Sequence, residues 1–195
     1  MVPQRVAEVL ASERRHSCLD VENLAGTLLR VRDEVDRLVE AWRHERPDLD
    51  LQPMEVLSRL SRLGHHLDRA RRTAFAEHGL ESWEFDVLAA LRRAGSPYEL
   101  SPGRLLKETL VTSGTMTNRV DRLEGRGLVV RLPDPGDRRG VLVRLTDAGR
   151  TTVDGALEGL LDKERTLLVG LDPARQRTLV TLLRTLVLPF EGEQP

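Results

Sequence analysis

One run of sequence, SPGRLLKETLVTSGTMTNRVDRLEGRGLVVRLPDPGDRRGVLVRLTDAGR from Ser101 to Arg150, dictates most of what this chain can fold into. Its first part suits a short amphipathic helix, Pro102 to Thr109. A Val-Thr-Ser-Gly turn leads from it into a second helix, Ser113 to Arg126, which Gly127 ends. Two apolar, β-branched stretches follow, Leu128 to Leu132 and Val141 to Leu145, with Pro133, Pro135, Gly136 and Gly140 between them. That punctuation reads as a long hairpin loop with Asp137-Arg138-Arg139 at its tip. Helix, turn, helix and hairpin in this order make a winged helix-turn-helix, which lays its second helix in the DNA major groove.

The second helix carries the chemistry. Met116, Val120 and Leu123 recur at i, i+4 and i+7 and make one apolar stripe. The opposite face holds Thr115, Thr117, Asn118, Arg119 and Arg122, whose hydroxyls, amide and guanidinium forks suit base edges and phosphates. Either Thr112 or Ser113 serves as N-cap, which leaves backbone N–H groups as an anion site. Arg138 and Arg139 suit a minor groove or a phosphate clamp. Asp137 either belongs to that tip or pairs with a neighbouring Arg. Thr146 is the expected cap of the next helix.

Net charge sharpens the reading. The chain of 195 residues carries −1 overall, which alone disfavours nucleic-acid binding. From Ser101 to Arg150, however, 10 Arg and Lys stand against 6 Asp and Glu, a local +4, so the remainder carries −5. The positive field is gathered on the candidate reading module.

The D-R-L-E-x-x-G-L-V-x-R segment, the D-P-x-D-R-R wing and the L-T-x-x-G exit resemble the MarR family of bacterial transcription regulators. The resemblance implies a triangular homodimer built from N- and C-terminal helices, a near-palindromic operator on double-stranded DNA, and release by a small, often anionic, effector. A long helix ending in W-R-x-E-R-P-D-L-D, then P-M, then E-F-D-V-L, is similar to the PecS and TamR branch, whose members answer to urate or to citrate- and aconitate-like acids. In urate-binding members a Trp of the N-terminal helix works with an Asp and an Arg on later helices. Trp42 matches the Trp; Asp68, Arg59, Arg62 and Arg69 are candidates for the others. Beside Trp42, the cations Arg43, His44 and Arg46 can clamp a flat or multiply charged anion, although Trp42 as core with solvated charges is the blander alternative.

The expected architecture is mainly α, a winged helix-turn-helix with a two-stranded β wing and terminal dimerisation helices. Residues 1–53 hold N-terminal helices and a connector, 54–150 the DNA-binding domain, and 151–195 the C-terminal dimerisation helices. Helices are expected over Pro3 to Arg15, Val21 to His44 (stripe Leu24, Leu28, Val31, Val35, Leu38, Trp42), Met54 to Glu77 (stripe Val56, Leu57, Leu60, Leu63, Leu67, Ala70) and Trp83 to Arg93, the last capped by Ser82. After Gly149 a stripe of Val153, Leu157, Leu160, Leu161 and Leu168 precedes a final helix capped by Asp172-Pro173. Its stripe is Leu179, Leu182, Leu183, Leu186 and Val187, and Pro189 is expected to end it.

Catalysis finds no support: there is no nucleophile elbow, phosphate loop or H-E-x-x-H helix. His65 and His66 diverge by about 100° on a helix, which does not suit one metal. Neither a metal nor a cofactor is expected. Cys18 is single, so no intrachain disulfide forms, and no apolar run approaches the ~20 residues of a membrane span. A cytoplasmic protein is expected. The rival reading is a helical dimeric interaction protein that keeps the fold without reading an operator.

Overall fold

The computed structural model describes residues 32–109 and 113–191. The helix expected over 3–15, Cys18, the Thr112 cap and the last residues of the tail lie outside the described residues, as does the side chain of Ser113. Contacts divide the chain into two compact units, Met1–Arg62 and Leu63–Pro195.

In the first unit, α1 (Glu34–Glu45) covers the end of the helix expected over Val21 to His44; the part with Leu24, Leu28 and Val31 lies outside the described residues. Asp33 is an N-cap: its carboxylate accepts from Asp36 N–H at 2.9 Å while Asp36 accepts from Asp33 N–H at 2.8 Å. A reciprocal capping box satisfies two of the donors a helix start leaves open, which sets the first helical residue at Glu34. Val35 and Val39 are buried against Leu51 and Met54. Leu38 and Trp42, expected on the covered stripe, are 43% and 45% exposed. Helix α2 (Gln52–Glu77) takes Pro53 into its first turn, where a missing N–H costs nothing. Its expected stripe Val56, Leu57, Leu60 and Leu63 is exposed; the residues it buries are Ala74 and Phe75.

In the second unit, Gly79 ends α2 at φ +65°. The Leu80 N–H reaches back to Phe75 C=O at 2.9 Å, the long bond of a Schellman cap. Helix α3 (Ser82–Arg93) is capped by Glu81, not Ser82: Glu84 accepts from the Glu81 N–H at 2.9 Å, and the Glu84 N–H donates to the Glu81 carbonyl oxygen at 3.0 Å. Strand β1 (Glu99–Leu100) adds a third strand to the expected two. Helix α4 (Pro102–Thr109) and helix α5 (Ser113–Gly125) follow where the sequence put them. Gly127, at φ +70°, closes α5 with the same cap, Leu128 N–H to Leu123 C=O at 3.0 Å.

Strands β2 (Val129–Asp134) and β3 (Asp137–Leu145) form the wing, and the antiparallel order is β1-β3-β2. The long loop expected between them is instead a turn of Pro135 and Gly136, with pairing that continues to Asp134↔Asp137 past an irregularity at Pro133/Asp134. Pro133 is tolerated because β2 is an edge strand, where an absent N–H faces no partner. Asp134 accepts from Gly136 N–H at 2.8 Å and Asp137 from Arg139 N–H at 2.9 Å, which tightens the tip.

Helix α6 (Asp147–Leu168) is capped by Thr146, which accepts from Gly149 N–H at 2.9 Å. It buries Val153, Ala156 and Leu160, while Leu157, Leu161 and Leu168 of its expected stripe are exposed. Helix α7 (Pro173–Glu191) starts at Asp172 as expected, with Arg175 N–H bonded at 2.9 Å, but runs through Pro189 and buries none of its residues. No helix among the described residues is long and apolar enough to cross a membrane.

One core holds the second unit together. Met116, Val120 and Leu123 of α5 meet Leu88 and Leu91 of α3, Leu105 of α4, Val129 and Val143 of the wing, and Val153 of α6, all essentially inaccessible. Phe75 and Phe85 stack with centroids 4.1 Å apart.

Candidate nucleic-acid interface

Burial of the Met116–Val120–Leu123 stripe fixes which side of α5 looks outward, since helix faces follow from the 3.6-residue period. Thr115, Thr117 and Asn118 are exposed on that side and Arg119 is half-buried. The sequence-predicted reading residues are therefore brought together on one helix, Ser113 being the one whose side chain is not described.

The cations of the module fall into two groups. Arg126 is committed to the fold: its guanidinium donates to both oxygens of Glu84 at 2.6 Å and to Gly79 C=O at 2.9 Å. Glu84 is only 2% exposed, and a carboxylate that deep persists only when paired and hydrogen-bonded. Arg131 of β2 ties back to Asp121 at 2.5 Å and to Glu124 of α5. Arg144 pairs at 2.6 Å with Glu99, its cross-strand neighbour. These bonds hold the wing against α5 and close the sheet.

The second group is open. Arg138 and Arg139 are exposed, and their side chains pair with no other described residue. They lie on β3, not in a loop, so successive side chains point to opposite faces of the ribbon. Arg104 and Lys107, one turn apart on α4, are exposed in the same way. Sequence reading passed over these two; their i, i+3 spacing on the first helix of the motif was the available signal.

Arg119 and Arg122 stand between the groups. Both guanidinium carbons lie over the Trp83 ring, at 5.4 and 4.7 Å from its centroid. Arg122 also donates to Glu81 at 2.8 Å, and the Trp83 Nε1–H donates to the other Glu81 oxygen at 2.7 Å. The Trp83 bond first, and Arg122 second, hold the Glu81 carboxyl below its usual range.

The expected anion clamp has a different character. Trp42 and His44 are exposed on α1, but Arg46 is bound by both oxygens of Asp48 at 2.8 and 2.7 Å, and Arg43 pairs with Glu55 at 3.2 Å. An anion there has to compete with carboxylates already in place. Of the later-helix candidates, Arg59 is consumed by Asp33, Asp36 and the Glu55 carbonyl. Asp68 is exposed on the part of α2 that belongs to the second unit.

Residues 78–140 match the MarR family. The HTH-type transcriptional regulator PecS of Dickeya dadantii is 41% identical over 150 residues, which cover 77% of this chain and 90% of that protein. Sco3205, a MarR family transcriptional regulator from Streptomyces coelicolor solved in complex with DNA, is similar at a TM-score of 0.63 and 25% identity, covering 75% of this chain and 91% of that one. A mutant of E. coli MarR complexed with operator DNA is similar at a TM-score of 0.55 and 30% identity, over 71% and 99% of the two chains.

Proposed function

This chain belongs to the MarR family of DNA-binding transcription regulators, on its PecS branch, and from that premise we propose that it is a cytoplasmic homodimeric repressor released by a small anionic metabolite. The carrying observation is the open group of cations: Arg138, Arg139, Arg104 and Lys107 have no partner among the described residues, whereas the neighbouring guanidiniums are neutralised within the fold. Exposed arginines without an internal partner on a helix-turn-helix and its wing suit a polyanion.

In this reading Thr115, Thr117, Asn118 and Arg119 touch base edges in the major groove, and Ser113 and Arg122 hold backbone. One of Arg138 and Arg139 enters the minor groove while the other faces phosphate. Two copies read half-sites of a near-palindrome about 10 bp apart. The exposed apolar residues of α7, Leu182, Leu186 and Val187 among them, supply the seam between copies, with residues 1–53 and 151–195 as the dimer-forming parts around the 54–150 reading domain. The rival reading, an interaction protein without operator contact, gives no use to the open cations.

The effector is a di- or tricarboxylate such as citrate or aconitate, or urate, held by Trp42, Arg43, His44 and Arg46. It takes Arg46 from Asp48 and Arg43 from Glu55, and so changes how α1 is tied to the chain that follows it. To matter, it must favour the released state by a few kcal/mol.

Salt titration tests the DNA reading: affinity must fall steeply with added salt, and a flat response overturns it. For the effector, citrate and urate should raise the thermal midpoint of the wild type, and Trp42→Ala and Arg46→Ala should blunt that rise. Equal rises in all three proteins exclude this site.

A further inference from the structure

We infer that Trp83, at the start of α3, is a positioning residue for base reading: its indole ring holds the Arg119 guanidinium in place while leaving its N–H donors to another molecule. The inference rests on operator reading by α5 as proposed above, and extends it to a residue outside the helix-turn-helix.

Three guanidiniums, at i, i+3 and i+7, run along one edge of α5 and onto the residue that follows it, and their commitment to the fold grows in that direction. Arg126 is saturated by Glu84 and Gly79 C=O. Arg122 gives one N–H to Glu81 and lies over Trp83. Arg119 lies over Trp83 and has no acceptor among the described residues. A guanidinium held over a π face by its charge spends no N–H donor on that contact and keeps its donors for another molecule. Arg119 is thus held without being used.

The holder is itself fixed. Trp83 is half-buried against the core. Its Nε1–H donates to Glu81 at 2.7 Å, which sets the ring's rotation. Glu81 is the N-cap of α3, and its capping partner Glu84 is pinned by Arg126 at 2.6 Å. Ordering a long side chain on contact lowers affinity, and ordering it beforehand restores that affinity for the sequence that uses it. A bidentate Arg–guanine contact is the geometry most sensitive to such aim.

The test measures affinity for a duplex selected by the wild type from a randomised pool and for its shuffled counterpart. Trp83→Leu should lower the ratio of the two about fivefold, from the loss of one cation–π contact per half-site, with the shuffled affinity and the salt slope unchanged. In an Arg119→Ala background, Trp83→Leu should lower that ratio no further. Equal weakening on both duplexes, or the same loss without Arg119, overturns the inference. Side-chain order in the unmodified free protein gives a reading that needs no core substitution: the Arg119 Nε–H should be rigid on the nanosecond scale and that of Arg138 mobile. Equal mobility overturns the inference as well. A wild type that prefers no sequence at all overturns the operator reading, and this inference with it, whereas a discriminating wild type with no Trp83–Arg119 coupling overturns the inference alone.

Discussion

Helices α5 and α7 are both apolar along one side, yet they end in opposite situations. The stripe of α5 is completed within the chain, where Met116, Val120 and Leu123 are 1%, 2% and 0% exposed. The stripe of α7 is not completed at all: no residue of that helix is buried, and Leu182 and Phe190 are 59% and 77% exposed. Exposed apolar surface on this scale is what the proposed seam between copies requires. Hydrophobic periodicity therefore says that a face is to be covered, and only the fold says by what. The same division separates the cations, with Arg126 and Arg131 satisfied internally and Arg138 and Arg139 without a partner among the described residues.

Substitutions on the two helices should part company, and the largest effect belongs to α5. Leu123→Ala removes a fully buried side chain from the centre of the core and should destabilise the protein by about 3 kcal/mol in urea unfolding. A loss under ~1 kcal/mol would mean that the reading core is looser than its burial indicates. The paired change Leu182→Glu with Leu186→Glu should act in the other way, converting the protein to monomer by sedimentation while the core unfolds at nearly the same denaturant concentration. A dimer that survives it would place the seam elsewhere.

Smaller effects probe the charges. Arg138→Ala should weaken binding on every duplex alike and lower the salt slope by about 1, the signature of one lost phosphate contact. A change in base preference instead would make Arg138 a reader. The smallest effect concerns Glu81, held below its ordinary 4.5 by the Trp83 N–H and then by Arg122. A depressed carboxyl contributes stability that is present in full above that value and disappears as pH falls through the folded value. The wild type should therefore lose thermal stability below about pH 4.5 slightly more steeply than Glu81→Gln; parallel profiles would show that Glu81 contributes nothing.

Much of the second unit was legible because its signals are local. The Met116–Leu123 stripe, the Gly127 stop, the Thr146 cap and Asp172-Pro173 each act within a turn or two of themselves. What escaped depends on distance or on competition between local rules. Proline and glycine at 133, 135, 136 and 140 read as a long loop, yet an edge strand accepts Pro133 and pairing runs to the tip. Val21 to His44 keeps its apolar spacing across Asp33, and spacing does not mark the capping box that sets Glu34 as a first helical residue. Two-residue β1 is too short to leave a pattern. The bonds among Glu81, Trp83, Arg119 and Arg122 span about forty positions, and no periodicity connects residues so far apart. Neither the cluster of cations beside Trp42 nor the resemblance that singles out that indole reveals that Asp48 and Glu55 neutralise Arg46 and Arg43.

The junction after the wing has a mechanical consequence. A methyl group on Gly149 would sit 2.0 Å from the Leu128 carbonyl oxygen, and the Thr146 hydroxyl donates to Gly127 C=O at 2.8 Å. The root of α6 is thus welded to the exit of α5, with no slack for a hinge. Any signal carried by α6 must turn the reading head as a solid lever, and a bulkier residue at position 149 would jam that joint before it altered a single contact with DNA.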